Sequence, residues 1–341
     1  MVCQVTSYSR PLDSENTPPT STLGKSSKAC ICARAASRRR RDRAFGGVRH
    51  PRYAIEHANH SQRASKCPPT SVKVAIETHN TESVLTSTTS ISLPRYLSRP
   101  EFREVSGETL RAVAPELADT HGDYLRDKLE CFGPQMQQVL AGVRAQPITN
   151  ALPKELSVVI NDLSSDMPTH MLAVYARQPS SSSAVRRRVT LFPTHSIVLA
   201  AHCANLPSLP PYAPTSVPDA PGSSISIPVV PLCIPSPDTF SRLSNFLYTK
   251  RVDHLLASLL PCPPPASLCS PSLNSSEAAQ SFSAKLAATY TAQALLSHAM
   301  TVHGLWRNAC ALGVSDERLW GAMDVAWEVL LGSLAVATAK A

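Results

Sequence analysis

The sequence predicts an α+β fold: a small sheet enclosed by helices, with a helical lead-in before it and a helical extension after it. Three observations predict this. Apolar residues recur at helical spacing from Leu110 to Val143. The period drops to two at Leu156–Ile160 and Met171–Ala176, then returns to helical spacing between Phe240 and Leu334. Amphipathic helices and half-buried strands are told apart by that change of period.

Residues 1–92 are expected to be a disordered basic tail. They mix Ser, Thr, Pro, Arg and Asn with little apolar periodicity, too little to offset the entropy of ordering. Of the 33 Lys and Arg and 25 Asp and Glu in the chain, this tail holds 14 and 6, so the whole excess of +8 lies within it. The remainder is balanced at 19 and 19 and offers no clustered cations for a nucleic-acid backbone. Arg38, Arg39, Arg40 and Arg41 form a compact basic run. It reads as a solvated stretch or as a nuclear import signal, since import receptors recognise short basic clusters in flexible segments; a mitochondrial presequence ranks last, because Asp13, Glu15 and Pro18-Pro19 interrupt an amphipathic helix. A nuclear or cytoplasmic, intracellular location is expected. No run of about 18 apolar residues spans a bilayer, and the start lacks a secretory apolar segment. The ten cysteines are scattered, and Cys203, Cys233 and Cys310 sit among apolar residues as small hydrophobes.

The lead-in covers 93–150. A helical pattern starts at Ser106 or Gly107 and runs through Leu110, Val113 and Leu117. Thr120 and Asp123 resemble a capping box for a second helix carrying Leu125 and Leu129. Gly133 is expected to end that helix and Pro134 to open another, striped by Met136, Val139, Leu140 and Val143. That stripe must be covered by the same chain or by a second copy, with a monomer expected ahead of a homodimer. The domain proper is 151–341. Strands are expected at Leu156–Ile160, Met171–Ala176 and Val189–Phe192, and a helix at Ser196–Cys203. Ile225–Ile234 reads as an irregular or edge strand because of Pro228 and Pro231. Residues 206–222 and 262–281 are Pro/Ser-rich loops. Asp238 is expected to cap a helix with Phe240, Leu243, Phe246 and Leu247, followed by a short one from Val252 to Leu260. Helices over 282–312 and 315–334, the second capped by Ser315, complete the pattern.

Candidate chemistry is sparse. Val198-Leu199-Ala200-Ala201-His202-Cys203 comes within one residue of the stretch around the histidine of trypsin-like proteases. That mechanism also needs a serine in an oxyanion turn and an orienting aspartate, and no Gly-Asp-Ser-Gly-Gly segment occurs. His202 is therefore expected at a helix end, paired with terminal carbonyls. Cys30 and Cys32 are too close, and Cys262 and Cys269 too far apart, for zinc-finger spacing. His298 and His303 diverge by about 140° around a helix. No phosphate-cradling glycine loop is present. No catalytic residue, metal ligand or cofactor is expected, and the chain is not expected to be an enzyme.

The order of elements from Met171 to Leu260 resembles the BTB/POZ domain. Phe192, His195, Val198 and Leu199 match its strand-to-helix corner; Phe240, Phe246, Leu247 and Tyr248 match the helix ending at a Tyr-Thr turn. The resemblance implies a structural role for His195. A further resemblance covers Leu93 to Leu334. Leu93–Leu97, Leu305–Asn308 and the Trp320–Trp327 helix are similar to the fungal clampless (Clp1-like) protein family. This implies a non-enzymatic role in clamp-cell formation and dikaryotic growth under mating-type control. The implied partners are proteins, mating-type homeodomain transcription factors among them; charge and the lack of a long apolar run lead to no expected membrane or direct nucleic-acid contact. A BTB-type substrate adaptor of a cullin ubiquitin ligase is the alternative. Trp306, Trp320 and Trp327 read as core packing or as a partner surface, since Trp is enriched at binding hot spots.

Overall fold

A computed structural model of the chain describes residues 3–8, 71–78, 87–117, 119–145, 151–177, 187–212, 218, 220–269 and 275–339. Arg38, Arg39, Arg40 and Arg41 lie outside these residues. Three strands begin within the stretch expected to lack order: β1 (Cys3–Tyr8), β2 (Ser71–Thr78) and β3 (Ser87–Pro94), the last running two residues past it. The last two form an antiparallel pair from Ser71 opposite Pro94 to Thr78 opposite Ser87. Low apolar density dominated the expectation there, yet Val72, Val74 and Ile76 alternate with Lys73, Ala75 and Glu77 in a strand period.

Helix α1 (Gly107–Val113) is capped by Ser106, whose hydroxyl accepts from the Glu108 amide at 3.2 Å. Helix α2 (Gly122–Ala141) has His121 at its cap rather than Thr120. It also runs unbroken through Gly133-Pro134, where two helices were expected. Tertiary packing explains the difference. Gly133 is buried against the backbone of Tyr248, and Leu125, Leu129, Met136, Val139 and Leu140 line the same buried side. Their burial outweighs the single helical bond that proline forgoes.

The sheet follows: β4 (Arg144–Ala145), β5 (Glu155–Ile160), β6 (His170–Tyr175) and β7 (Arg187–Thr194), then α3 (Ser196–His202) and β8 (Ser223–Cys233). Its order is β1-β7-β6-β8-β5-β4. β6 and β7 form an antiparallel hairpin, with Leu172 opposite Phe192. β8 is one strand of 11 residues despite its prolines. Residues 223–228 pair antiparallel with β5, and 229–233 pair parallel with β6. Each half thus has a ladder on one side only, so Pro228 and Pro231 sit in locally edge-like backbone.

The sheet separates two apolar layers. Val158, Ile160, Met171, Ala173, Leu191, Ile225 and Ile227 face Val139 and Val143. Leu172, Val174, Phe192, Val230 and Leu232 face the helical core, which also takes Met136 and Leu140. The stripe expected on this helix is therefore covered by the chain itself.

After a 3-10 turn at Pro237–Thr239 come α4 (Phe240–Thr249), α5 (Val252–Leu259), α6 (Ala266–Cys269), α7 (Ser275–Thr289), α8 (Ala292–Leu312) and α9 (Glu317–Ala339). The expected loop 262–281 contains α6 and the start of α7. The expected helix over 282–312 is interrupted at Tyr290, and Thr291 caps α8 by accepting from the Ala294 amide. Asp238 makes no side-chain cap for α4. Asn308 of α8 holds that turn instead, donating to the Ser236 carbonyl at 2.6 Å and the Thr239 hydroxyl at 2.9 Å, and accepting from the Ser236 amide at 2.9 Å. The cap of α9 is Asp316, not Ser315: its carboxylate accepts from the amides of Arg318 and Leu319. By length and composition α9 could cross a membrane. Here Leu319, Met323, Ala326, Val329, Leu330 and Leu334 are all at 0% exposure, as befits a helix apolar nearly all round at the centre of a core.

Candidate functional site

The corner residues expected from sequence come together in one place. Phe192, His195, Val198, Leu199, Phe240, Phe246, Leu247 and Tyr248 are all buried. Phe192 meets Phe240 edge-on with ring centroids 5.1 Å apart. The Tyr248 hydroxyl accepts from the His195 amide at 2.9 Å and donates to His195 Nδ1 at 3.0 Å; Thr194 Oγ1 lies 3.2 Å away. His195 Nε2 then carries the ring proton and donates to the Asp166 carbonyl at 2.9 Å. Burial lowers the His195 pKa and pushes the Tyr248 phenol up to about 12, so both stay neutral. Every polar atom of the corner is partnered, and the arrangement fixes β7 to α3 and α4.

The three tryptophans occupy a second place. Trp320 and Trp327 are each 2% exposed, while Trp306 is half-buried. The rings of Trp306 and Trp327 meet that of His303, Trp320 Nε1 donates to the Val314 carbonyl, and the chain's own segment 93–99 is hydrogen-bonded to two of the three. Trp327 Nε1 donates to the Pro94 carbonyl at 3.1 Å and Trp306 Nε1 to the Ser98 carbonyl at 2.8 Å. Leu93 and Leu97 bury themselves in the helical core. Arg99 pairs with Glu317 and Asp324, with its guanidinium 6.0 Å from the Trp320 ring centre. Trp306 and Trp327 thus hold an internal strap, and Trp320 lies buried beside them.

A third place was not anticipated. Lys250 follows α4 in the left-handed conformation, φ 53°, which carries its side chain inward. Its Nζ donates to Asp316 at 2.8 Å and to His202 Nδ1 at 3.3 Å. The Lys250 side chain is 2% exposed and that of Asp316 15%. Nearby, Arg318 and Glu130 form a bidentate pair at 2.8 and 2.6 Å. His202 does not pair with helix-end carbonyls as expected; its Nδ1 faces Lys250, and its buried Nε2 has no partner among the described residues. Nothing in the sequence signals this cluster, because a lysine after a helix and an aspartate at a helix start are ordinary surface placements. Among the described residues no group of His, Cys, Asp and Glu is arranged to hold a metal ion.

Burial first, then the neighbouring Lys250 charge, pushes the His202 pKa down to about 3; Arg126 and Arg318 act with Lys250, and Asp316 opposes them. The unfolded chain titrates near 6.5. A depressed folded-state pKa gives stability that is present above the unfolded value and is lost as pH falls. The expected loss is about 1.4 kcal/mol per pH unit below roughly 6. His170 and His195, also lowered by burial, add to it. Urea unfolding between neutral pH and pH 5 checks this. The His202→Gln variant should lose stability more shallowly, by about one proton; an identical slope would show that folding leaves the His202 pKa unshifted.

Corner, strap and buried cluster together define an α+β protein whose buried polar side chains serve mainly to lock distant elements to one another. The family model for the Clampless protein 1 N-terminal domain matches residues 100–235, and that for the Clampless protein 1 C-terminal domain matches residues 253–341. The chain belongs to the Clampless protein 1 family, and this membership ties it to clamp formation. No curated protein and no solved structure matches it. The strap at 93–99 and the end of α4, with Tyr248 and Lys250, lie outside both matched ranges.

Proposed function

We propose that this chain is a non-enzymatic protein-interaction regulator of fungal sexual development. It acts in clamp-cell formation and dikaryotic growth under mating-type control by binding transcriptional regulators, mating-type homeodomain proteins first among them. The observation that carries this reading is the pair of family matches over 100–235 and 253–341. Two features support it. The cations of the buried cluster are paired with carboxylates instead of being free for chemistry, and the charge beyond residue 92 is balanced, which suits protein partners better than nucleic acid. Action in the nucleus goes with the basic run at Arg38–Arg41.

A second reading, a BTB-type adaptor of a cullin ubiquitin ligase, draws on the succession β6, β7, α3, β8, α4, α5 with His195 at the corner. Affinity purification of the tagged full chain from mating hyphae separates the two. Recovery of homeodomain regulators without a cullin supports the first reading, and recovery of a cullin scaffold supports the second. Normal clamp cells in a strain lacking the chain would overturn both.

A further inference from the structure

A cavity of about 300 Å³ opens where α2, the end of α3, the end of α4 and the start of α9 meet. That is the lower end of the range for small-ligand sites, roughly 300–1,000 Å³. Its rim carries Phe102, an aromatic ring 71% exposed, and Arg103, whose guanidinium has no hydrogen bond or ion pair among the described residues. Its inner wall carries His202 and Lys250.

The inner wall is rich in unused donors. The Lys250 ammonium can only donate, so His202 Nδ1 accepts from it and the ring proton sits on Nε2. Nε2–H has no partner among the described residues, in a residue 5% exposed. Lys250 has three N–H groups and uses two, on His202 and Asp316. The carboxylates of the wall are engaged: Asp123 with Arg126, Glu130 with Arg318, Asp316 with Lys250, while Asp127 faces the charge of Arg318. At the His202 ring, three cations, Lys250, Arg126 and Arg318, act against the single carboxylate of Asp316. An unpaired buried donor is destabilising, and an anionic acceptor relieves it most.

We propose that this cavity binds a carboxylate, which enters past Phe102, is received by the unused N–H groups of His202 and Lys250, and is closed over by Arg103. The inference goes beyond the developmental role and does not depend on it. One chemistry has two sources here, a small free dicarboxylate or an acidic side chain of a protein partner.

The test uses the full chain labelled with ¹⁵N-histidine, titrated with succinate, with acetyl-Gly-Glu-Gly-amide, and with the Gln counterpart of that peptide. The expected result is a saturable shift of the His202 ring nitrogens by succinate or the Glu peptide but not by the Gln peptide. Arg103→Ala, at an exposed position where folding is unaffected, should weaken it about tenfold through loss of one charge-assisted partner. Tighter binding of succinate assigns the site to a free acid, and tighter binding of the Glu peptide assigns it to a protein partner. No saturable shift at His202, equal binding of the Gln peptide, or unchanged affinity in Arg103→Ala would each overturn the proposal.

Discussion

Gly133→Ala should leave the protein unfolded or close to it. A Cβ at this position would overlap the carbonyl oxygen of Tyr248 and lie 2.9 Å from its carbonyl carbon and 3.3 Å from its Cα. These are backbone atoms, so no side-chain rotation relieves the overlap. α4 has no easy retreat, because the Tyr248 hydroxyl is tied to His195 and Thr194, and Phe246 and Leu247 beside it are 2% and 1% exposed. Overpacking of this kind falls among the few mechanisms that cost more than about 4 kcal/mol, a large share of the roughly 5–15 kcal/mol that holds a typical domain together. Gly107→Ala is the control: among the described residues nothing lies within 4 Å of its added Cβ, at the start of a helix. Thermal unfolding of the two variants should place Gly107→Ala near the parent protein. A Gly133→Ala protein that melts alongside it would mean that α2 and α4 do not touch there.

Asp316→Asn should cost about 3–5 kcal/mol, the penalty for leaving a buried ion without its partner. Asparagine keeps an oxygen for capping α9, so the loss isolates the ion pair from the cap. Burial lowers the Lys250 pKa and Asp316 opposes that shift. Without the carboxylate the depression deepens, and a depressed lysine gains stability as pH rises. The variant should therefore recover part of its deficit between pH 7 and pH 9, where the parent protein gains less. Adding Lys250→Met removes the orphaned charge, and the double variant should be more stable than Asp316→Asn alone. Chemical unfolding of the four proteins closes the double-mutant cycle. Additive losses would show that Lys250 and Asp316 stabilise the fold separately.

What could be read from the sequence is what depends on neighbours along the chain. The alternation of Leu156, Val158 and Ile160, the corner from Phe192 to Leu199 and the apolar stripe of α9 are local patterns, and each lies within a residue or two of its expected place. Features set by contacts between distant residues were misread or missed. Gly133-Pro134 carries every local mark of a helix boundary, and only the approach of Tyr248, 115 positions later, makes the glycine a contact point within one helix. Pro228 and Pro231 argue against a central strand until the change of partner along β8 is known. Asp238 is a good cap by type, yet Asn308 does the work from α8. The polar cluster of Lys250, His202 and Asp316 joins residues that stand 48 and 66 positions from the lysine, and side-chain type alone gives no hint of such a meeting.

The strap held by Trp306 and Trp327 sets an order of events during synthesis. The two indoles follow the carbonyls they hold by 208 and 233 residues. A ribosome adding residues from the N-terminus at about 5–20 per second delivers Pro94 and Ser98 some tens of seconds before their tryptophans exist. Through that interval Leu93 and Leu97 have no α8 or α9 to lie against. Segment 93–99 is thus made early in the body and among the last of its parts to find its place, and a chain cut short before α9 keeps Trp306 but lacks the Trp327 anchor for it.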